Sequence, residues 1–545
     1  MKSNRTVACA AVVVLSGLAI GAEGVFADAE ADASIVRGLA REVIQNSPAV
    51  GGIQNRAPID RSGLVPTDRR YEILSNYVSP AFFARASDGE IESLAALATS
   101  DAYNDAPPPA WCYAPGTDPE FVNAMEAIIH DVNPIAFQQI GRWDGTALSP
   151  ASTAQGEPAI VTYSFIPDGT NIPSEDFGLP GGSSALFAWL DGIYGDTETW
   201  QDLFHETFEE WGELIGVTYV YEPNDDGTPT SGLPGQVGVR GDVRIGAYPF
   251  SSNNNGGTLA YNNFPQNGDM IFDAFDNFFD NVSSNSRRLR NTIAHEHGHG
   301  LGMLHVCPAD GTKLMEPAID TGFAGPQIDD ILNGQRHYGD VFEPNDSLAT
   351  AAPLATIGGE FELTAPFVSI DDNSDSDFYR LDVLVPSEVT VRIAPAAAAY
   401  SQGPQSFFCF SGSFTDYNVV HDLRLTVLGP TGATLASVDD TGLGGAEELT
   451  HSITTPGAYT VAVEGGSANS IQLYGFTVSA TPTGPVPCNG ADLVAPIGEL
   501  DIADVVEFLR AFGDGQPSVD YAAPFGEFDI SDVVEFLRLF GAGCP

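Results

Sequence analysis

Residues Asn291–His305 read NTIAHEHGHGLGMLH, and within them His295, Glu296, His299, Gly302 and His305 carry the spacing HExxHxxGxxH. His295 and His299 stand four apart, so on a helix they share a face and can offer two imidazole nitrogens to one metal at about 2.0–2.1 Å. Gly302 can take the left-handed backbone that ends a helix, and the returning chain then carries His305 toward the same point. Three nitrogen ligands leave a fourth position, where a zinc ion would acidify a water. Glu296, beside the first ligand, is placed to take that water's proton and direct the oxygen at a peptide carbonyl. A helix rich in histidine can also be a solvated face or a metal-storage patch. Against that, five fixed positions arise by chance in a chain of this length only on the order of once in ten thousand. His297 lies off the ligand face and is expected to back the site or meet solvent.

Four further stretches extend the pattern. They are GTKLMEP at Gly311–Pro317, FEEWGELIGVTY at Phe208–Tyr219, GGTLAYNNFPQNGDMIFD at Gly256–Asp273, and QIDDILNGQRHYG at Gln327–Gly339. With the histidine motif they resemble, in order over residues 137–340, the metzincin zinc proteases and specifically the matrixins. The resemblance implies an α+β catalytic domain with a twisted mixed sheet and long helices. It also implies a Met-turn whose Met315 forms an apolar floor under the metal, and calcium ligands at Asp273 and Asp276. Matrixins carry a second, structural zinc whose histidines would fall near Tyr261 and Ile271; neither residue can bind it, so one catalytic zinc is expected. Val306, with Cys307 after it, stands where the family has a small polar residue.

The chain has 545 residues, which suggests three or four domains. Its 73 acidic and 22 basic residues give a formal net charge of −51, and Lys2 and Lys313 are the only lysines. Nucleic acid is excluded as a partner, since phosphate binding needs clustered cations. Lys2, Arg5, an apolar run from Val7 to Ile20 and small residues near Ala27 read as a secretory signal peptide over residues 1–27, and no other stretch could span a membrane. The protein is therefore expected outside the cell.

Residues 28–136 read as mainly helical, with Ser34–Gln45, Ser87–Leu97 and Asp118–Asp131 as helices and a Pro-rich break at residues 105–110. This segment is either a pro-region covering the active site or a small helical domain that stays attached. Strands are expected at Ala159–Ile166 and Asp242–Ile245, within a mixed sheet backed by two long helices. The loop EPNDD at Glu222–Asp226 is either a calcium loop or, more commonly for such a sequence, a solvated turn.

Over residues 341–480 the pattern changes to short alternating strands between Gly, Pro and Asp turns, as in Phe378–Val383, Val389–Ile393, Leu423–Leu428, Ala458–Val463 and Leu473–Val478. That is an all-β sandwich. EPNDSLATA at Glu343, DSDFYRLDV at Asp375 and PGAYTVAVEG at Pro456 resemble the bacterial pre-peptidase C-terminal domain. The resemblance makes Glu343, Asn345, Asp346, Asp371, Asp372, Asp375 and Asp377 candidate calcium ligands; an acidic edge that deters strand pairing is the other reading. Residues 481–545 hold an internal repeat, ADLVAPIGELDIADVVEFLRAFG and DYAAPFGEFDISDVVEFLRLFG, each an acidic loop followed by a short amphipathic helix. It resembles the tandem loop-helix units of dockerins. Asp492, Asp501, Asp504, Asp520, Asp529 and Asp532 are then candidate calcium ligands, against a packed helix pair without metal.

Cys488 and Cys544 bracket the repeat in an exported protein and are expected to form a disulfide. Of the remaining cysteines, Cys9 leaves with the leader and Cys409 falls in a buried strand. A Cys112–Cys307 bridge is then expected. Its rival is a Cys112 thiolate on the zinc, as in the matrixin cysteine switch, which AWCYAPG resembles loosely. The combined expectation is a secreted zinc endopeptidase acting on protein or peptide substrates, with C-terminal modules for cell-surface or matrix attachment. The alternative is a calcium-dependent adhesion or binding protein whose protease-like domain no longer cuts.

Overall fold

The computed structural model describes residues 74–544 except 76, 100–108, 131–138, 150–153, 175–178, 180, 231, 251–256, 405–411, 467–468, 485–486 and 524. The leader, the helix read at residues 34–45 and most of the Pro-rich break lie outside the described residues.

Among the described residues three helices come first, α1 (Pro80–Arg85), α2 (Asp88–Thr99) and α3 (Pro119–His130), with strand β1 (Ala110–Tyr113) between the second and third. Ser79 starts α1 by accepting the Phe82 N–H in its side chain, with Pro80 in the first turn where its missing N–H costs nothing. Then follow β2 (Ala159–Phe165), the short ribbon β3 (Asn171–Ile172) and β4 (Gly182–Ser183), α4 (Leu186–Tyr194), α5 (Thr197–Gly212), β5 (Val217–Tyr221), β6 (Val243–Tyr248), β7 (Thr258–Asn262), β8 (Met270–Asp273) and α6 (Ser283–Gly300). Six strands form one sheet in the order β1-β7-β8-β6-β2-β5. Its centre is parallel, as β2 pairs in parallel with both β5 and β6 and β6 with β8, while β7 and β1 add antiparallel at one edge.

Both faces of this sheet are covered, each by a different part of the chain. Helices α5 and α6 pack on one face through Phe204, Phe208, Trp211, Leu289 and Ile293, and the Trp211 indole donates to the Ala294 carbonyl at 3.2 Å. On the opposite face Tyr248, Tyr261 and Ile271 join Phe82, Ile91, Phe121 and Met125 of the N-terminal helices in a second cluster. Period-two alternation explains the split, because Ala260 and Phe272 point to the first cluster while their neighbours Tyr261 and Ile271 point to the second. Tyr261 and Ile271 thus anchor the helical segment to the sheet.

Strand β9 (Val306–Cys307) and helix α7 (Ile328–Tyr338) close this unit. The sandwich follows, with strands β10 (Ala352–Ile357), β11 (Phe361–Ile370), β12 (Asp377–Val383), β13 (Ser387–Pro395), β14 (Ala399–Pro404), β15 (Ser413–Asp416), β16 (Arg424–Leu428), β17 (Thr434–Val438), β18 (Glu447–Ile453), β19 (Gly457–Glu464) and β20 (Gln472–Pro482). Two sheets, β10-β12-β19-β16-β17 and β11-β20-β13-β18, enclose a core of Tyr379, Leu381, Val391, Val461, Tyr474 and Phe476. The β14–β15 hairpin leaves the sandwich and pairs with β9, Gly403 opposite Cys307. Tyr400 of the same hairpin donates its hydroxyl to Asp329 at 2.7 Å. The sandwich therefore grips the first unit immediately beyond His305.

Helices α8 (Ile502–Gly513) and α9 (Ile530–Ala542) pair through Phe508 and Phe536, whose rings stack at 4.0 Å. Cys488 and Cys544 are disulfide-bonded. Among the described residues no helix is long and apolar enough to cross a membrane. Phe82 is fully buried where the N-terminal helices meet the sheet. Phe82→Ala should destabilise the chain by about 3–5 kcal/mol, read from denaturant unfolding; a loss under about 1 kcal/mol would mean that the helices are not part of the cooperative core.

Candidate metal centre and its surroundings

The zinc-motif helix begins with a left-handed turn at Ser284, Asn285 and Ser286, with φ of 56, 54 and 52°, and runs right-handed from there to Gly300. Gly302 has φ +93°, and a Cβ there would sit 1.9 Å from the Gly141 carbonyl oxygen. Only glycine satisfies both conditions, and the turn it makes returns His305 to the helix. Gly298 is required for a different reason. A Cβ at that position would lie 2.3 Å from the Met315 sulfur, so the Met315 thioether packs directly against the helix between the histidines.

The Nε2 atoms of His295, His299 and His305 lie 3.1 Å from one another, pair by pair. Two ligands of one tetrahedral zinc at about 2.0–2.1 Å stand about 3.3 Å apart, so the triangle has the size of a zinc site. The opposite ring nitrogens are all engaged. Nδ1 of His295 meets the Leu314 carbonyl at 2.7 Å, that of His299 meets the Met303 carbonyl at 2.7 Å, and that of His305 meets a carboxylate oxygen of Glu126 at 2.9 Å. Each acceptor fixes the tautomer with its proton on Nδ1, which turns the Nε2 lone pair inward. Burial holds His295 neutral, with its pKa lowered to about 3. A fully oriented imidazole triad is the donor set that zinc selects.

Glu296 is completely buried beside the triad, and burial pushes its carboxyl up to about 8. The thiol of Cys112 lies against it, and burial together with the Glu296 charge pushes that thiol's pKa well up, although neither Glu296 oxygen makes a hydrogen bond of regular geometry. Cys112 is a free, buried thiol and Cys307 is disulfide-bonded to a residue outside the described ones. This corrects the expected Cys112–Cys307 bridge. In the register of β1 on β7 Cys112 stands opposite Ala260, and its thiol lies against Glu296. Nor is Cys112 one of the groups that converge with the three imidazoles.

β1 has partners along both edges. It pairs antiparallel with β7, while on its other side the Tyr113 N–H donates to the Pro317 carbonyl and Ile319 donates back to Tyr113, at 3.1 and 2.9 Å. The Met-turn itself is held by Asp330, whose carboxylate accepts the N–H groups of Leu314 and Met315. His297 is buried, not solvated. Its Nε2 meets the Tyr219 hydroxyl at 2.7 Å and its ring stands edge-on to Phe208.

The candidate calcium ligands fall into two groups. Asp273 accepts the N–H groups of Phe250 and Phe275, and Asp276 caps the turn at Phe278. In the repeat, Asp501 and Asp529 cap their helices, with Asp504 and Asp532 reaching back to the capping residues' N–H groups. Asp492 accepts from Cys488 and Gly498, and Asp520 from Gly526. No three of these carboxylates meet at a point among the described residues. Glu222 likewise closes its own loop by accepting from Asn224 and Gly238.

At the start of the sandwich, in contrast, carboxylate oxygens of Glu343, Asp375 and Asp377 converge. Asn345 is fully buried there with neither side-chain heteroatom bonded, and one oxygen each of Asp375 and Asp377 also lacks a partner. Burial and the neighbouring acids push Glu343 up to about 9, Asp371 to about 8 and Asp375 to about 7. Asp346 adds to the negative field, and Asp340 brings a further carboxyl from the end of α7.

Residues 196–339 match the family model described as Matrixin. No curated protein matches the chain. Among solved structures, the chain is similar to the pre-peptidase C-terminal domain of a collagenase from Bacillus anthracis, at 14% identity over 23% of this chain and 95% of that one, with a TM-score of 0.15. It is similar to the same degree, 14% identity and TM-score 0.15, to the periplasmic lysozyme inhibitor PliG of Aeromonas hydrophila, over 24% of this chain and all of that one. At these TM-scores neither likeness bears on fold or function.

The Glu126 contact predicts a defined loss. Glu126→Ala should weaken zinc binding by about 10–100-fold, measured by competition with a chromophoric chelator while thermal unfolding is followed in parallel. Unchanged zinc affinity would remove Glu126 from the metal centre.

Proposed function

We propose that the chain is an exported zinc endopeptidase, with His295, His299 and His305 holding the metal and Glu296 as general base and acid. The observation that carries this reading is the triangle of Nε2 atoms, each histidine locked at Nδ1, with a buried carboxyl beside it. Zinc, when bound there, would polarise the scissile carbonyl and make water acidic enough to lose a proton. Glu296 receives that proton, and its raised affinity for protons suits it to pass the proton on to the departing amine. Met315 and the carbonyls of Leu314 and Met303 keep the imidazoles from turning. A protein or peptide strand is the substrate class that suits a cleft bounded by a sheet edge and the Pro317–Ile319 segment.

The strand β1 occupies that cleft in this structure, antiparallel to β7, and the triad is 0–2% exposed beneath it. This favours the reading of residues 28–136 as a pro-region that keeps the enzyme latent. The two disulfides, one at Cys307 and one between Cys488 and Cys544, fit an oxidising extracellular compartment. The C-terminal repeat is proposed as an attachment module.

A structural cation is proposed for the Glu343, Asp375 and Asp377 cluster. Its oxygen-only donors and unbonded Asn345 fit calcium. Without the ion, these carboxyls hold protons in the folded state that the unfolded chain releases near pH 4. Their folded pKa values are raised, so stability falls as pH rises from about 4 toward 9. In a calcium-selective chelator the melting temperature should drop between about pH 5 and 9, and calcium should restore it at the upper end. A melting temperature indifferent to calcium at pH 9 would refute the site.

Catalysis is tested on the processed chain with an unstructured protein substrate. Glu296→Ala should retain zinc and slow cleavage by roughly 10²–10⁴-fold, whereas His299→Ala should lose both zinc and activity. Cleavage that survives both Glu296→Ala and zinc removal would overturn the mechanism. Zinc binding without cleavage by the wild type would instead support an adhesion protein with an inactive protease-like domain.

A further inference from the structure

Behind the zinc-motif helix, between α5 and the sheet edge at β5, lies a pocket of about 550 Å³. Its walls are aromatic. Tyr163 stacks on Phe208 at 4.3 Å, and His205 lies 4.8 Å from Tyr221, ring centre to ring centre. The Tyr163 hydroxyl meets His205 Nδ1 at 2.6 Å, and burial lowers the pKa of His205, so that ring contributes no positive charge. The rim carries Glu209 in the last turn of α5 and Glu213 immediately after it, four residues apart and both exposed. Neither makes an ion pair among the described residues, because the neighbouring Arg290 is taken by Glu206 and Glu210.

From this arrangement we infer a binding site for the arginine side chain of an extended polypeptide segment. A planar guanidinium is attracted to the faces of aromatic rings, and its fork of N–H donors matches carboxylates such as those of Glu209 and Glu213. The two glutamates repel each other when the pocket is empty, and a bound cation relieves that repulsion. The occupant is an extended segment because β5 ends the sheet and pairs only with β2 among the described residues. Its outer edge can take one more strand, and the exposed side chains of Val220 and Tyr221 stand beside the place that strand would fill. The pocket's floor also touches the metal centre's helix, since Tyr219 lines the pocket and holds His297 through its hydroxyl. The site is nevertheless separate from the β1–β7 cleft, which lies at the opposite edge of the sheet.

The test is direct titration of the full chain carrying Glu296→Ala, which removes cleavage of the probe and makes the result independent of the peptidase reading. The probe is acetyl-Val-Arg-Val-amide, with the citrulline peptide as its neutral isostere, and heat of binding is the readout. Saturable one-to-one binding is expected for the arginine peptide. Binding should weaken on the order of tenfold or more for citrulline, for Glu209→Gln with Glu213→Gln, and for Tyr221→Ala, while the melting temperature stays put for the exposed Glu209→Gln with Glu213→Gln change. Equal binding of the citrulline peptide, wild-type affinity in the doubly substituted chain, or no saturable binding would each overturn the proposal.

Discussion

The three hydrogen bonds at the outer nitrogens of His295, His299 and His305 are the constraint on which the centre depends. An imidazole can turn about its side-chain bonds and carry its proton on either nitrogen, so a triad is useful only when both freedoms are removed. Here they are removed by acceptors drawn from three parts of the chain. Met303 belongs to the turn that Gly302 creates, Leu314 to the segment pinned by Asp330, and Glu126 to the N-terminal helices. The geometry of the centre is therefore a property of the assembled unit.

The same dependence explains why the neighbouring parts are so closely bound to it. The outer face of the sheet is apolar at Tyr248, Tyr261 and Ile271, and helices α1–α3 cover it. Removing those helices would expose this face and withdraw Glu126 together. The latency proposed for β1 would involve two separable elements, a short strand in the cleft and a helical cover that packs on the sheet. On the other side, the β14–β15 hairpin joins β9, and Tyr400 binds Asp329 beside Asp330. The sandwich supports the chain on either side of the Met-turn, a closer role than that of an appended module.

The metal motif was legible because its geometry is local. Helical spacing places His295 and His299 together, and a positive-φ glycine with its close approach to Gly141 explains the turn to His305. The strands of the sandwich and the paired helices of the repeat were legible for the same reason, through period-two and period-3.6 patterns. What was not legible depends on register across distant segments. Nothing local marks Glu126 as the partner of His305, or Cys112 as facing Glu296; the packing of α3 on the sheet decides the first and the pairing of β1 with β7 the second. The acids of the repeat carry a readable signal of a different kind, for Asp501 and Asp504, like Asp529 and Asp532, have the spacing of a capping box. Their carboxylates end on N–H groups, which leaves no three of them free to surround an ion among the described residues.

The most direct test of the account is zinc-edge X-ray absorption of the full chain loaded with one equivalent of zinc. Three imidazole nitrogens at about 2.0–2.1 Å, with a light atom completing the shell and no sulfur, are expected. A sulfur scatterer at about 2.3 Å would put Cys112 on the metal, and fewer than three imidazoles would contradict the triad itself.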